Sequence, residues 1–167
     1  MSAEGAALPG DQARASVLVK VSPPEAFRVF TEEINEWWQS GLRYRVGGKQ
    51  RSVLHLEPRV GGRLFESYET PSGARVIEGG RVTVWQPPRR LAFEWRAVNF
   101  APAEKTEVDV QFEASDRGTL VTVTHRGWSR IRADHPVRHG DEVTAFLRRM
   151  GLWWGDLLTS LREHTDP

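Results

Sequence analysis

The feature that most constrains the fold is a broad apolar stripe near the C-terminus. The sequence from about Asp141 to His164 has apolar residues at helical spacing, and on a helical wheel they fill an arc of about 140°. Trp154 falls near the middle of this arc, Trp153 lies on one margin, and Leu152 is an exception on the polar side. The stripe consists of Val143, Phe146, Leu147, Met150, Trp153, Trp154, Leu157, Leu158 and Leu161. Because a flat layer cannot bury so wide an arc, the stripe favours a strongly curved antiparallel sheet wrapped around the helix.

The rest of the chain supplies such a sheet. Residues 13–21 are rich in β-branched side chains and predict a first strand, and from residue 53 onward the apolar pattern has period two with Gly and Pro punctuation, which predicts about six further strands in antiparallel hairpins. Between them, Ser22, Pro23 and Glu25 mark a helix start, followed by two short helices or one kinked helix that end at Trp37 and Trp38. The sequence therefore predicts an α+β domain over residues 13–165, preceded by a disordered tail of residues 1–12.

Composition excludes several functional classes. Lys plus Arg number 23 against 22 Asp plus Glu, and this balance argues against a nucleic-acid-binding protein. The chain has no cysteine, which excludes disulfides, thiolate nucleophiles and Cys-ligated metals and favours the cytoplasm. The N-terminus lacks the pattern of a secretory signal, and no apolar run approaches the roughly 18 residues of a membrane span.

A set of mostly aromatic residues is expected on the inner surface of the sheet and helix. Core packing explains any one of them, but as a group they hold the helix away from the sheet and leave apolar space of the kind that binds small molecules. Glu66 and Tyr68 alternate with Phe65 and are expected to add polar groups, and Gly151 suggests a close approach of the sheet or of a ligand. The predicted ligand-binding residues are Trp37, Trp38, Phe65, Phe93, Trp95, Phe112, Val123, His125, Phe146, Met150 and Trp154.

His125 is the polar residue of greatest interest in this set. It shares a face with Val121 and Val123, so it is either a hydrogen-bonded core histidine or a ligand contact and general base. No nucleophile with an orienting partner is found in the sequence. We therefore predict no catalytic residue and no cofactor, and we do not expect an enzyme.

Two loops complete the candidate sites. Residues 126–142 contain His135 and His139 but also Pro136 and Gly140, so this segment is interpreted as a lid over the pocket and no metal site is predicted. A basic loop is either solvated surface or a site for an anionic headgroup or acidic partner, and it carries Arg43, Arg45, Lys49 and Arg51.

Several motifs resemble one known family. Residues 80–95, GRVTVWQPPRRLAFEW, look like a strand pair of the heat-shock-protein-90 ATPase activator homologue (AHSA-type) family of the START-like, or SRPBCC, superfamily. Val60-Gly61-Gly62, the segment from Gly118 to Gly127, and Gly151, Trp153 and Leu157 also match, and the resemblance covers residues 14–163. It implies a helix-grip fold with a cavity between sheet and helix that takes apolar small molecules.

The predicted function is therefore a binding module for an apolar or amphipathic small molecule. One alternative is a chaperone-regulating interaction module, although the chain is too short for the additional N-terminal domain of the eukaryotic co-chaperones. Another is an enzyme similar to polyketide cyclases or aromatases, in which His125 or Glu66 assists proton transfer. The oligomeric state stays open, since a sheet edge or Leu152 offers a contact surface.

Overall fold

The protein consists of one seven-stranded antiparallel sheet curled around a long C-terminal helix, with two short helices after the first strand. The computed structural model describes residues 11–40, 44–45, 51–96, 100–131, 134 and 142–166. Its elements are β1 (Gln12–Val19), α1 (Pro23–Glu32), α2 (Ile34–Trp37), β2 (Ser52–Leu56), β3 (Arg63–Thr70), β4 (Gly73–Gln86), β5 (Arg90–Trp95), β6 (Thr106–Ser115), β7 (Gly118–Arg126), a 3-10 turn (Trp128–Arg130) and α3 (Val143–Thr165). This confirms the predicted α+β helix-grip fold.

The sheet has the strand order β1-β7-β6-β5-β4-β3-β2, so β1 and β2 form its two edges. Val108, Val110 and Phe112 of β6 are buried, as their alternation with polar residues predicts. The pairing register shifts between Leu64 and Phe65 and between Val82 and Val84. Such irregularities bend a strand and increase its twist, and they help the sheet to curl around α3.

The helical segment after β1 is two helices rather than one kinked helix. The Ser22 side chain accepts a hydrogen bond from the Glu25 backbone N–H at 3.4 Å, and Pro23 takes the first helical position, as predicted. The first helix ends at Glu32, and at the following residue, Glu33, the backbone leaves the helical region with φ −104° and ψ 25°. The chain then resumes as α2 and brings Trp37 and Trp38 beneath α3.

Arg45 holds the chain after α2 in place through hydrogen bonds. Its buried guanidinium donates to the carbonyl oxygens of Asn35, Trp38, Gln39 and Ser52, at 2.7 to 3.2 Å, and to the Asn35 side-chain oxygen. These bonds satisfy carbonyls at the C-terminal end of a helix, which otherwise lack partners. Arg45 is therefore a structural residue, whereas the basic-loop interpretation treated it as surface or as an anion ligand. Arg51 is exposed, and Arg43 and Lys49 lie outside the described residues.

The apolar stripe of α3 faces the sheet as predicted. Trp154 is fully buried and Trp153 half-buried, whereas Leu152 is 67% exposed on the outer side. The helix begins at Val143, two residues later than expected, and the side chain of Val143 is outside the described part. A Cβ atom on Gly151 would meet the Arg14 carbonyl oxygen at 3.9 Å, which is ordinary contact. The described residues thus show no close approach that requires this glycine.

The described chain begins before the predicted domain boundary at residue 13, and the predicted lid is only partly described. The first strand begins at Gln12, and the buried Asp11 side chain accepts hydrogen bonds from the Ser129 backbone N–H and hydroxyl. Of the loop from 126 to 142, the turn at 128–130 is defined and Asp134 is exposed, while His135, His139 and Asp141 lie outside the described residues. Within the described chain, no helix has the length and apolar character needed to cross a membrane.

Candidate functional site

The interior between sheet and helix contains a continuous series of aromatic contacts. It runs from Phe112 through Phe30, Trp37 and Trp38 to Trp154, with ring centroids 4.7 to 5.6 Å apart. Such separations are those of rings in direct edge or tilted contact. The predicted aromatic residues of this part of the interior therefore pack on one another, and they leave little free space between them.

His125 connects α3 to the sheet through a chain of hydrogen bonds. The Trp154 indole N–H donates to His125 Nδ1 at 3.0 Å, and His125 Nε2 lies 2.7 Å from the Thr106 hydroxyl oxygen. Because an indole can only donate, Nδ1 must be the acceptor and Nε2 carries the proton of the neutral ring. The Thr106 hydroxyl in turn donates to the Trp95 carbonyl oxygen at 3.0 Å. Both ring nitrogens are thus occupied, as in a core histidine with satisfied hydrogen bonds.

The surroundings of His125 disfavour its charged form. Burial lowers the pKa of His125 from 6.5 to about 3, because a charged imidazolium would lose its hydration in this interior. Trp95, Trp128 and Trp154 surround the ring, with centroids 4.6 to 6.0 Å away. In this arrangement His125 has neither a free lone pair nor the pKa of a general base near neutral pH.

Trp128 is an interior residue that the sequence analysis did not select. Its ring packs on Phe146 at 4.8 Å and on Trp95 at 5.8 Å, and its indole nitrogen is buried without a hydrogen-bond partner in the described structure. An unpaired buried donor costs about 1 to 3 kcal/mol. The one available signal was the Gly127-Trp128 step after β7, and in the sequence it does not distinguish a core indole from an exposed one.

A small cavity lies at the β2–β3 end of the interior. Its volume is about 20 Å³, which is space for about one water molecule. Glu66 is 3% exposed at this cavity, and the Ser52 hydroxyl donates to its Oε1 at 2.9 Å. The lining residues are Trp38, Tyr44, Leu54, Leu64, Phe65, Glu66, Gly79 and Trp95. The cavity therefore combines apolar walls with one buried carboxyl group.

Glu66 lies at the cavity, as expected, whereas the ring of Phe65 belongs to the other face of β3. Phe65 borders the cavity, but its ring stacks on His55 at 4.7 Å with the Arg63 guanidinium 4.4 Å above it. Glu66 is buried opposite Leu54, facing the helix side. β3 keeps a regular alternation, with Leu64 and Glu66 buried and Phe65 half-buried, and the register shift beside Phe65 leaves Gly79 of β4 as the extra residue.

The predicted ligand-binding residues divide between the cavity and the packed interior. Trp38, Phe65 and Trp95 border the cavity. The others are buried in the core, and they are Trp37, Phe93, Phe112, Val123, His125, Phe146, Met150 and Trp154. Leu54, Leu64 and Tyr44 line the cavity but were not predicted; the first two follow the strand alternation, whereas Tyr44 comes from a loop with no pattern to identify it.

A second, larger concavity is open to the surface of the molecule. It has a volume of about 690 Å³ and is formed where the start of α1 meets the turn between β4 and β5 and the end of β6. Pro23, Pro24 and Pro88 contribute much of its wall, together with Arg89 and Glu113. Arg89 and Glu113 carry opposite charges, and the two α1 prolines have no backbone N–H group to donate. The concavity therefore shows no preference for an anion.

One group of potential metal ligands occurs among the described residues. Donor atoms of Glu33, Glu36 and His164 lie within 4.8 Å of one another. Both carboxylate oxygens of Glu33 already have partners, since Arg28 lies at 2.7 Å and His164 Nε2 at 2.8 Å. These contacts lower the pKa of Glu33, with the His164 hydrogen bond as the larger cause. We assign no metal to this exposed group.

The family model described as Activator of Hsp90 ATPase homolog 1-like protein matches residues 20–163. The chain belongs to this family. The match includes the cavity, His125 and nearly all of α3, so the described interior is the interior of an Activator of Hsp90 ATPase homolog 1-like domain. A comparison with curated proteins finds no match.

Solved structures of similar proteins share the fold of this Activator of Hsp90 ATPase homolog 1-like domain. Protein CV1439 from Chromobacterium violaceum superposes with a TM-score of 0.64 at 15% identity, over 96% of this chain and 99% of that chain. Protein MLL2253 from Mesorhizobium loti gives 0.61 at 17% identity, over 93% and 99%. The Aha1 dimer from Colwellia psychrerythraea gives 0.60 at 18% identity, over 92% and 95%. At these identities the likeness shows the fold alone.

Proposed function

We propose that this protein binds a small, largely apolar ligand between the sheet and α3, at the cavity beside Glu66. The observation that carries the proposal is the change in packing along the interior. Aromatic rings fill the interior around Trp154, whereas the small cavity remains at the β2–β3 end. The cavity has apolar walls and one buried polar group, which is the usual composition of a small-molecule site. The apolar ligands of the superfamily that the chain resembles support the same proposal, and the absence of cysteine supports a cytoplasmic location.

Binding must enlarge this cavity. Small-molecule pockets occupy about 300 to 1,000 Å³, far more than the 20 Å³ between these side chains. Tyr44 and Trp153 are the half-buried members of the neighbouring ring cluster, stacked on each other at 5.7 Å. Because they are already partly in contact with solvent, their displacement exposes less apolar surface than displacement of Trp154 would. We propose that a ligand enters on their side.

Trp128 gives the proposal additional support. Trp95 borders the cavity and also packs on Trp128, whose indole N–H has no partner among the described atoms. A ligand that extends past Trp95 and carries an acceptor oxygen there would accept a hydrogen bond from this indole N–H. The hydrogen bond would recover the free energy that the unpaired donor costs.

Ligand-dependent stabilisation tests the proposal. The freshly purified protein is analysed by native mass spectrometry for a retained small molecule, and thermal unfolding is then followed with a series of decyl compounds. A ligand present at 100 times its Kd adds about 2.7 kcal/mol to the free energy of unfolding, which corresponds to roughly 5 to 10 °C in Tm for a chain of this size. Failure to retain any molecule, together with an unchanged Tm for every compound, would disprove the proposed function.

A variant that fills the cavity shows where the ligand binds. Leu54→Phe places a larger side chain in the cavity wall and is expected to remove the ligand-dependent rise in Tm, with an intrinsic cost of about 1 to 3 kcal/mol. The matched control is Leu120→Phe on β7, where the side chain is 36% exposed. The control should keep the full rise. An equal loss in both variants would place the ligand elsewhere.

The enzymatic alternative has weaker support than binding. In the cyclase-like hypothesis His125 or Glu66 transfers a proton, but both nitrogens of His125 are engaged by Trp154 and Thr106. Glu66 is the remaining candidate at the cavity. We therefore propose binding without turnover.

The chaperone-regulating alternative is supported by the family description, which refers to the Hsp90 ATPase. No surface feature of the residues that the structure defines points to a chaperone as partner. If the domain acts on such an ATPase, adding it to the chaperone changes the rate of ATP hydrolysis without any small molecule. We expect no change in that rate.

A further inference from the structure

We infer that Glu66 selects ligands that present a neutral hydrogen-bond donor, such as an alcohol or phenol, and discriminates against carboxylic acids. This inference rests on the proposed function, because it concerns the same cavity. Among the described lining residues Glu66 is the single acidic side chain, and the others are apolar residues, a glycine and Tyr44. The Tyr44 hydroxyl is engaged outside the cavity wall, 3.4 Å from an Asp156 carboxylate oxygen.

The carboxyl group is fixed by the strands on either side. Glu66 pairs with Leu54 of β2 and with Ile77 of β4, in the middle of the sheet end that covers the cavity. Ser52, also on β2, donates to Glu66 Oε1 at 2.9 Å. A carboxylate held in this way accepts hydrogen bonds but cannot donate them. A polar ligand atom that contacts it must therefore bring its own proton.

Arg45 balances the charge of Glu66 and so determines which donor fits. Both groups bond to Ser52, since Arg45 donates to the Ser52 carbonyl oxygen at 3.1 Å and the Ser52 hydroxyl donates to Glu66 Oε1 at 2.9 Å. Burial lowers the pKa of the Arg45 guanidinium, and the charge of Glu66 offsets part of that lowering. The guanidinium hydrogens are already directed at backbone carbonyls and at Asn35, so Arg45 cannot turn to receive an anionic ligand. Among the residues that the structure describes here, Arg45 and Glu66 contribute one charge of each sign, so an added ammonium or carboxylate would leave a net buried charge, which is costly.

This arrangement predicts an order of affinities for ligands that differ in one group. An alcohol donates to Glu66, its methyl ether cannot, and the loss of one charge-assisted hydrogen bond weakens binding roughly tenfold. A carboxylic acid must take up a proton before it can approach Glu66. Since carboxyl groups ionise near pH 4.3, this requirement weakens binding roughly a hundredfold or more at pH 7.5.

The experiment compares 1-decanol, 1-methoxydecane, decylamine and decanoate by isothermal titration calorimetry at pH 7.5. We expect 1-decanol to bind at least tenfold more tightly than each of the other three. In Glu66→Gln, which keeps the shape and the Ser52 contact, the amide can donate to a carboxylate. The ratio of the Kd of decanoate to the Kd of 1-decanol should then decrease about tenfold. Decylamine should bind more weakly than to the wild type, because the variant loses a negative charge.

The matched control is Glu69→Gln, which makes the same change on the same strand at an exposed residue. Affinities that follow the predicted order in the wild type and in Glu69→Gln, and that change in Glu66→Gln, support the inference. Equal binding of all four compounds, or an order that Glu66→Gln leaves unchanged, overturns the selective role of Glu66 while the proposed binding function stands. If none of the four compounds binds, the inference is overturned, and the proposed function is overturned with it only when native mass spectrometry also finds no retained molecule.

Discussion

At the scale of single residues, His125 shows how a chemically versatile side chain becomes a structural one. Its two nitrogens link Trp154 of α3 to Thr106 of β6, and Thr106 continues the chain to the backbone of β5. Buried polar groups are tolerated in a core when each has a partner. The same bonds that satisfy His125 deprive it of the lone pair that catalysis or metal binding would need.

This environment predicts that the stability of the protein depends on pH through His125. The unfolded chain binds a proton at His125 below its ordinary pKa of 6.5, whereas the native protein does not until about pH 3. The contribution of His125 is therefore fully present above pH 6.5 and decreases as the pH falls, by up to ~1.4 kcal/mol per pH unit. We expect His125→Gln to be less stable at pH 7.5 by about 1 to 3 kcal/mol. Urea unfolding should show that the difference from wild type narrows between pH 6.5 and 5.

The control for this prediction is Thr106→Val, which removes the hydroxyl but retains His125. This variant should lose stability at pH 7.5 and keep the dependence on pH. A wild-type protein whose free energy of unfolding changes with pH just as that of His125→Gln does would contradict the assignment of a buried neutral imidazole.

At the scale of elements, the glycines of α3 and β4 differ in whether the structure has room for a Cβ atom at their positions. A Cβ on Gly80 would lie 1.8 Å from the Glu94 carbonyl oxygen of β5, so the two strands approach one another as only glycine permits. In α3, the nearest atom to a Cβ on Gly151 is 3.9 Å away, and none lies within 4 Å for Gly155. The glycine of β4 is thus a packing requirement, whereas those of α3 are not required by contacts in the described structure.

We therefore expect Gly151→Ala and Gly155→Ala each to stabilise the protein by up to ~1 kcal/mol, because alanine favours the helix. Gly80→Ala should destabilise it by more than about 3 kcal/mol, since the backbone of β5 would have to move. Urea unfolding monitored by tryptophan fluorescence measures all three. A destabilising effect of Gly151→Ala would indicate a close neighbour of α3 beyond the residues that the structure describes.

At the scale of the whole molecule, the packing is uneven from one end of the sheet to the other. The central strands β5, β6 and β7 carry fully buried inner residues such as Phe93, Val110 and Val123. At one edge, β2 has five residues and a single neighbouring strand, and the cavity lies beneath it. Regions with fewer buried contacts open at a lower free energy than the core. The end of the sheet that holds the cavity is therefore the less stable end.

Hydrogen exchange should reveal this gradient. We expect the amides of β6, which has a partner strand on each side, to exchange most slowly and those of β2 to exchange fastest among the strands. Addition of 1-decanol should slow exchange in β2 and β3 and leave β6 unchanged. Mass spectrometry of peptic fragments resolves these segments, and equally slow exchange in β2 and β6 would refute the gradient.

The sequence predicted the architecture better than the site, for physical reasons. The stripe on α3 and the period-two strands express burial directly, so Trp154 and Val110 were placed correctly. Alternation could not decide which face of β3 points inward, because both faces carry apolar residues, Leu64 on one and Phe65 on the other. Arg45 depends on carbonyls from α2 and β2 that become neighbours only on folding, and cavity size depends on ring positions finer than any pattern.

The bond between Trp154 and His125 also fixes the rotational angle of α3 about its own axis. Rotation by one residue, about 100°, would carry the indole of Trp154 away from the imidazole. Trp153 or Gly155 would take its place, and His125 Nδ1 would lose its donor inside the core. Apolar contacts alone tolerate several settings of a helix on a curved surface, but this directional contact permits one. The adjacent tryptophans therefore divide their roles: Trp154 sets the angle of the helix, and Trp153 packs on Tyr44 at the margin.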